Sequence, residues 1–359
     1  MAELLVGTRK GLFVLHGQAG DRFEIAHRLF AGQTVEYALR DRRSGRTLAS
    51  VTNGFYGPRV WFRDGDLAGE WQQADGPAFP ADIPDTAVER TWVIEAAEED
   101  GVLWAGTAPA ALWRSEDGGA SWQLNRGLWD APTRPEWQPG FGGLALHTIC
   151  PWPGDPDRLL VAVSAAGVWL SDDRGATWRT GYTGLVAGYM PPELREGTHT
   201  LCVHDIRRAP ARPERLFMQF HNGVYRSDDA GASWLRIDQG LPADFGFPIV
   251  TDPADPDSAY VIPLVDGSDR VTPDGRLRVF QTRDAGASWA DSSAGLPQAD
   301  AFKTVLRQAF DGDGGRDGGP GQALAFGATS GEVWASPDGG ATWAVAAGDL
   351  PPVTSVRWA

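Results

Sequence analysis

The chain has 359 residues, 47 acidic against 32 basic, for a formal net charge of −15. That balance excludes the clustered Lys and Arg through which proteins grip nucleic acid or an anionic membrane. Hydrophobic residues make up 42% and charged ones 22%, as in a chain that buries a core, and its two cysteines, Cys150 and Cys202, offer neither a disulfide framework nor CxxC metal spacing.

The opening run, MAELLVGTRKGLFVL, alternates like strands and is broken by Gly, Thr, Arg and Lys, which fits neither a signal peptide nor a membrane span. A cytoplasmic location is therefore expected. Further along, one eight-residue pattern occurs five times: SEDGGASW (115–122), SDDRGATW (171–178), SDDAGASW (227–234), TRDAGASW (282–289) and SPDGGATW (336–343). Their closing residues Trp122, Trp178, Trp234, Trp289 and Trp343 lie 56, 56, 55 and 54 apart, which marks an internal repeat. An Asp in a tight turn accepts bonds from N–H groups just ahead of it, Gly supplies the positive φ, and Trp begins the next strand with a large apolar face.

Two earlier stretches are worn copies: HGQAGDRF, ending at Phe23, and FRDGDLAGEW, which keeps Asp64, Gly69 and Trp71. That makes seven units. Before each box come short apolar runs, such as TLCVHDI, LFMQF and VYRS, separated by Gly, Pro and Asp turns. They read as four antiparallel strands per unit, with no helical period. The first unit lacks an inner strand, which the last run, VTSVRW (353–358), supplies by returning to the N-terminus. The expected fold is all-β: one seven-bladed β-propeller over 1–359, closed by its C-terminal strand.

The boxes resemble the Asp-box, or BNR repeat, of sialidase-like propellers, where it joins the third and fourth strands of each blade on the face opposite the ligand pocket. Over essentially the whole chain, ALWRSEDGGASW, PTRPEWQPG with GGLALHTI, FHNGVYRSDD and TSGEVWASPDGGATW resemble a group of bacterial seven-bladed proteins labelled glycosyl hydrolase or exo-α-sialidase-like. The resemblance implies the propeller and a glycoside hydrolase-like activity on a saccharide. Sialidases proper also carry an early Arg-Ile-Pro motif and a late Tyr nucleophile paired with Glu. Here the nearest early motif is YGPR (56–59), and the last tyrosine, Tyr260, precedes the seventh unit, so true sialidase chemistry lacks its nucleophile.

Three insertions, 126–143, 179–198 and 265–276, should emerge together on the face away from the boxes, and loops gathered on one end of a rigid scaffold build sites. A fourth, 311–322, falls on the box face; its Asp spacing partly resembles a calcium loop, but Gly315 stands where a third ligand belongs and no closing Glu follows. Four of the six histidines fall in the fourth and fifth units. His147 and His204 are repeat-equivalent on inner strands, while His199 and His221 should sit at the loop-rich mouth. Two roles fit the cluster: hydrogen bonding between blades, or proton transfer and metal binding. The catalytic candidates are His199, His221, Glu95 and His147, with a divalent metal at His147, His199 and His221 as a further reading and no other cofactor expected.

Glu36 and Glu95 on inner strands, with Glu136 and Glu193 in loops, are the carboxylates that glycosidic cleavage would draw on. The aromatics Trp129, Trp137, Phe141, Tyr182 and Tyr189, with Arg134 beside them, suit stacking on a sugar or another flat ligand, and Glu136 joins Arg134, Trp137 and Tyr189 as a ligand-binding candidate. Arg307 is placed to bind an anionic group, and Glu36 completes the ligand-binding set. The expected function is binding, and turnover, of a small polar or saccharide-like ligand in a central pocket. The alternative is a non-catalytic scaffold for a protein partner.

Overall fold

The computed structural model describes residues 2–140, 142–197, 199–315 and 321–359. Phe141 and residues 316–320 of the 311–322 loop therefore lie outside the described residues. Within them the chain forms 28 strands, one four-residue α-helix (Arg126–Trp129) and three short 3-10 turns. Five sheets have four antiparallel strands taken in chain order, and a sixth has eight. The eight-stranded sheet is two four-stranded halves, joined by one parallel bridge between Gln308 and Ser355.

The first strands of the four-stranded units line the centre. Thr34–Arg40 packs on Arg90–Ala96, that on Leu146–Trp152, and so on through Val203–Arg208, Phe245–Thr251, Val305–Gly312 and Val353–Trp358. Val353–Trp358 in turn packs back on Thr34–Arg40, so the series closes on itself. The closure is made by chain ends: Val353–Trp358 pairs antiparallel with Ala2–Thr8, Leu4 opposite Trp358 and Val6 opposite Val356. With no free edge at the seam, the ring removes the exposed ladder on which open sheets aggregate.

The five boxes share one hydrogen-bond pattern. In the first, Ser115 Oγ donates to Asp117 Oδ1 at 2.8 Å, and Asp117 accepts from Ser121 N at 2.9 Å and Ser121 Oγ at 2.7 Å. Gly119 N donates to Ser115 Oγ at 2.8 Å. The same bonds recur at Asp173, Asp229, Asp284 and Asp338. Each turn uses two left-handed residues: the box glycine, with φ between 82° and 94°, and the residue before it. That earlier position is Gly118 or Gly339 in two boxes but Arg174, Ala230 and Ala285 in the others, so only the second truly depends on glycine.

Each closing Trp is seated between neighbouring sheets. Trp234 Nε1 donates to Gly181 O at 3.1 Å, and Trp343 Nε1 to Ser292 O at 2.8 Å, in both cases across some fifty residues of sequence. The worn second copy departs from the pattern. Asp64 is taken by Arg46, at 2.7 and 2.9 Å, and the turn is capped instead by Asp66, which accepts from Ala68 N at 3.0 Å. Without Ser at the first position and with a longer spacer, Asp64 has no hydroxyl to hold it in the turn.

Candidate functional site

The first strands enclose a channel, and the three long insertions meet over one end of it. A cavity of about 660 Å³ opens there, lined by Gln138 and Pro139 from one insertion, Tyr189, Met190 and Leu194 from the second and Arg270 from the third. None of the box residues lines it. Phe245 and Phe247, on the strand Phe245–Thr251, give its wall an apolar face, and the volume is that of a small-molecule site.

Its polar lining includes Cys202, His204, His221, Arg270 and Arg307, with Gln138, Ser164, Tyr189 and Thr200. Cys202 immediately precedes the inner strand Val203–Arg208 and His204 sits at an irregularity in that strand's pairing; both line the cavity. His221 follows the partner strand Leu216–Phe220, and its N–H donates to Cys202 O at 3.0 Å. Tyr189 OH accepts from Cys202 N at 2.9 Å, and its ring meets the His221 ring edge-on at 4.6 Å. A Cβ on Gly267 would come within 3.1 Å of His221 Cε1, so the third insertion needs a bare backbone there.

The electrostatics are one-sided. Burial pushes His204 well below the usual imidazole range, and Arg307 pushes it the same way. Burial, then Arg270 and Arg307, lower His221. Both rings are therefore neutral at neutral pH. Among the described residues no Asp or Glu lines the cavity. Arg307 makes no hydrogen bond or ion pair among them, and its Nε is buried without a partner. Its guanidinium lies 5.1 Å from the Phe247 ring centre and 5.7 Å from that of Trp92. Among the described residues the Arg270 side chain donates to Gly267 O, at 2.7 Å, and leans on the same Phe247 ring at 5.7 Å.

The repeat-equivalent histidines share a role but use different nitrogens. His147 Nε2 donates to Val203 O at 3.0 Å, while its Nδ1 lies 3.0 Å from Thr148 Oγ1; the ring is fully buried. It ties neighbouring sheets together and does not line the cavity. His204 instead donates from Nδ1 to Gly246 O at 2.5 Å, which leaves Nε2 facing His221 Nδ1 at 3.3 Å. Which nitrogen is left over depends on a carbonyl 42 residues away.

Other sequence candidates lie elsewhere. His199 is on the rim, paired with Glu136 at 3.3 Å, and neither lines the cavity. Arg134 stacks at 3.5 Å on Trp129 and 5.2 Å on Trp137, and burial lowers it to about 10. Trp137 is itself buried, with Nε1 on Thr133 Oγ1 at 3.2 Å, so these three pin their loop. Glu36, raised by burial, is held by Arg90 at 3.2 Å.

Glu95 belongs to the opposite, box-side opening, a cavity of about 470 Å³ lined also by Tyr37, Arg207, Asp311 and Arg357. There Tyr37 OH donates to Glu95 Oε1 at 3.0 Å, Arg357 Nε donates to Tyr37 OH at 2.8 Å, and Arg207 lies 3.4 Å from Asp205 and 3.9 Å from Glu95. Gln308 sits between the two ends, bonded to Arg357 and, at 2.8 Å, to His147 O. Thus the structure brings together His221, Tyr189 and Arg307 from the sequence candidates, adds His204, Cys202 and Arg270, and separates Glu95, Glu36 and His147 from them.

No family model and no curated protein matches the chain. Solved structures do. An ancestral GH74 enzyme superposes with a TM-score of 0.58 at 16% identity, over 99% of this chain and 40% of that one. A candidate 6-phosphogluconolactonase from Bacteroides uniformis gives 0.57 at 10%, over 100% and 99%, and YCF48 bound to D1 peptide gives 0.51 at 14%, over 83% and 78%. The chain spans well under half of the GH74 enzyme. At these identities the likeness concerns the fold alone: the chain is a β-propeller.

Proposed function

We propose that the chain is a seven-bladed propeller, each half of the eight-stranded sheet counting as one blade, whose loop-side pocket binds a small ligand with an anionic head and an apolar body. The observation that carries this is the pair Arg307 and Arg270, which face an apolar cavity with no carboxylate lining it in a chain of net charge −15. A desolvated guanidinium without a partner is costly, and a carboxylate or phosphate relieves that cost with charge-assisted hydrogen bonds. Phe245, Phe247, Tyr189 and Met190 would cover the ligand's body. Cleavage through two carboxylates finds no support in this pocket, since Glu95 opens on the other face. With no metal bound, a hydrolytic step there would fall to His221, a neutral imidazole and so a base.

The test is calorimetry with a panel of aryl and alkyl carboxylates against their neutral amides. Carboxylates should bind and amides should not, and Arg307→Ala should weaken the carboxylates by about 10- to 150-fold, the value of a hydrogen bond to a charged group. Equal binding of acid and amide would refute the reading.

A second reading follows from the same groups. The carboxylate of a peptide C-terminus, with an apolar last side chain, offers the pocket the same chemistry, and one propeller of similar fold was solved with a bound peptide. Affinity that rises steadily as an N-acyl amino acid is lengthened into a peptide would favour this scaffold role. Affinity that is flat with length would favour the small molecule.

A further inference from the structure

We propose that Cys202, His204 and His221 form a binding site for a zinc-class metal ion at the floor of the loop-side cavity. One ligand atom from each lies within 4.8 Å of the other two. His204 Nε2 and His221 Nδ1 are 3.3 Å apart, about the separation of two nitrogens held at 2.0–2.1 Å around one tetrahedral zinc. The same distance is long for a hydrogen bond between two rings.

The supports that a metal ligand needs are in place. His204 Nδ1 donates to the Gly246 carbonyl, which fixes the tautomer and aims the Nε2 lone pair inward. Cys202 is braced on both sides of its backbone, by Tyr189 OH and by the His221 N–H. The His221 ring is boxed by Tyr189 at 4.6 Å, Phe245 at 5.2 Å and His204 at 5.3 Å. Two of the three ligands come from a Cys-x-His run that enters the strand Val203–Arg208, and the third, just past Leu216–Phe220, bonds its N–H to Cys202 O, so a single hairpin sets the geometry.

The donor set selects the metal. One thiolate and two imidazoles suit Zn²⁺ and disfavour Mg²⁺ or Ca²⁺, which take oxygen. Three protein ligands leave a fourth position open toward the cavity, the pattern of sites that bind an exchangeable ligand. Arg270 and Arg307 oppose a bare dication. The thiolate offsets part of that charge, and an anion in the fourth position offsets more. The site stands on its own geometry, independent of the anion-binding reading.

The test uses the full chain, prepared without a histidine tag, kept reduced, stripped with chelator and titrated with Co²⁺, then with Zn²⁺ in competition. One equivalent of Co²⁺ should bind, with a thiolate-to-cobalt band in the near ultraviolet and visible bands of tetrahedral intensity. Cys202→Ser should abolish the near-ultraviolet band, and His221→Ala should weaken binding by more than about 100-fold. Both variants should melt cooperatively as the parent does; His204→Ala is avoided because that ring is buried and bonded to Gly246. Arg307→Ala, which removes the anion-binding group, should keep the metal and hold it more tightly. No stoichiometric binding by the reduced parent chain, or a near-ultraviolet band that survives Cys202→Ser, would overturn the assignment.

Discussion

The channel has arginines at both ends, and they differ in what stands opposite them. On the box side Arg357 meets Tyr37, Gln308 and Asp311, and Arg207 meets Asp205 and Glu95. On the loop side, among the described residues, the side chains of Arg307 and Arg270 contact aromatic rings and one carbonyl and make no ion pair. The first group is part of the fold, because removing any member leaves another buried charge unpaired. The second group has no carboxylate partner among the described residues, and the ligand proposed above rests on that difference. Residue type alone does not separate structure from site; the presence or absence of a partner does.

The sharpest way to break this contrast is at the seam. Deleting residues 351–359 takes away the inner strand that carries Arg357 and should abolish the cooperative thermal transition, followed by circular dichroism. Arg357→Ala alone should cost about 3–5 kcal/mol in urea denaturation, since it takes the buried charged donor from Tyr37 and Gln308 and the ion-pair partner from Asp311 in a network closed across the ring. By contrast Arg307→Ala should leave the urea midpoint unchanged or raise it, while costing about 1.5–3 kcal/mol in carboxylate affinity. If Arg307→Ala destabilises as much as Arg357→Ala, the distinction between the two ends is false.

Acid titration refines the comparison. His147 and His204 are held below their ordinary value of 6.5, chiefly by burial. They bind protons more readily unfolded than folded, so their contribution is fully present above pH 6.5 and is lost as pH falls below it. Each should add a slope approaching 1.4 kcal/mol per pH unit, about 2.7 for both, between roughly pH 6 and 5, before the carboxylates titrate. Urea denaturation at stepped pH checks this, and His147→Gln should remove close to half of the slope. The smallest effect belongs to His199→Ala. Its partner Glu136 is 64% exposed, so the change should stay within about 0.5 kcal/mol of stability and leave ligand affinity unaltered.

Much of this architecture can be read from the chain itself. The five boxes recur in the structure with the same bonds, and 353–358 closes the ring by pairing with the N-terminal strand. The three insertions do meet over one cavity, and Arg307 faces it. Glu95 was harder to place, for a reason of length. It is the sixth residue of a seven-residue inner strand, and at about 3.3 Å per residue the two ends of such a strand lie some 20 Å apart. An inner-strand carboxylate thus reaches the box side or the loop side according to its position along the strand. Cys202 and His204 did leave a signal, a Cys-x-His run followed by a His just past the next strand, but neither had been picked out for the pocket. Likewise Arg134 and Trp137 turned on each other instead of outward.

By itself the sequence determined what depends on near neighbours: turns closed within eight residues, strands set by alternation, and a period that makes the sheets repeat. Only the tertiary structure decided which charges are paired, because the partners come from distant parts of the ring. Tyr37 and Arg357 are 320 residues apart and meet only once the circle is closed. The same closure leaves Arg307 facing a cavity that no Asp or Glu lines among the described residues.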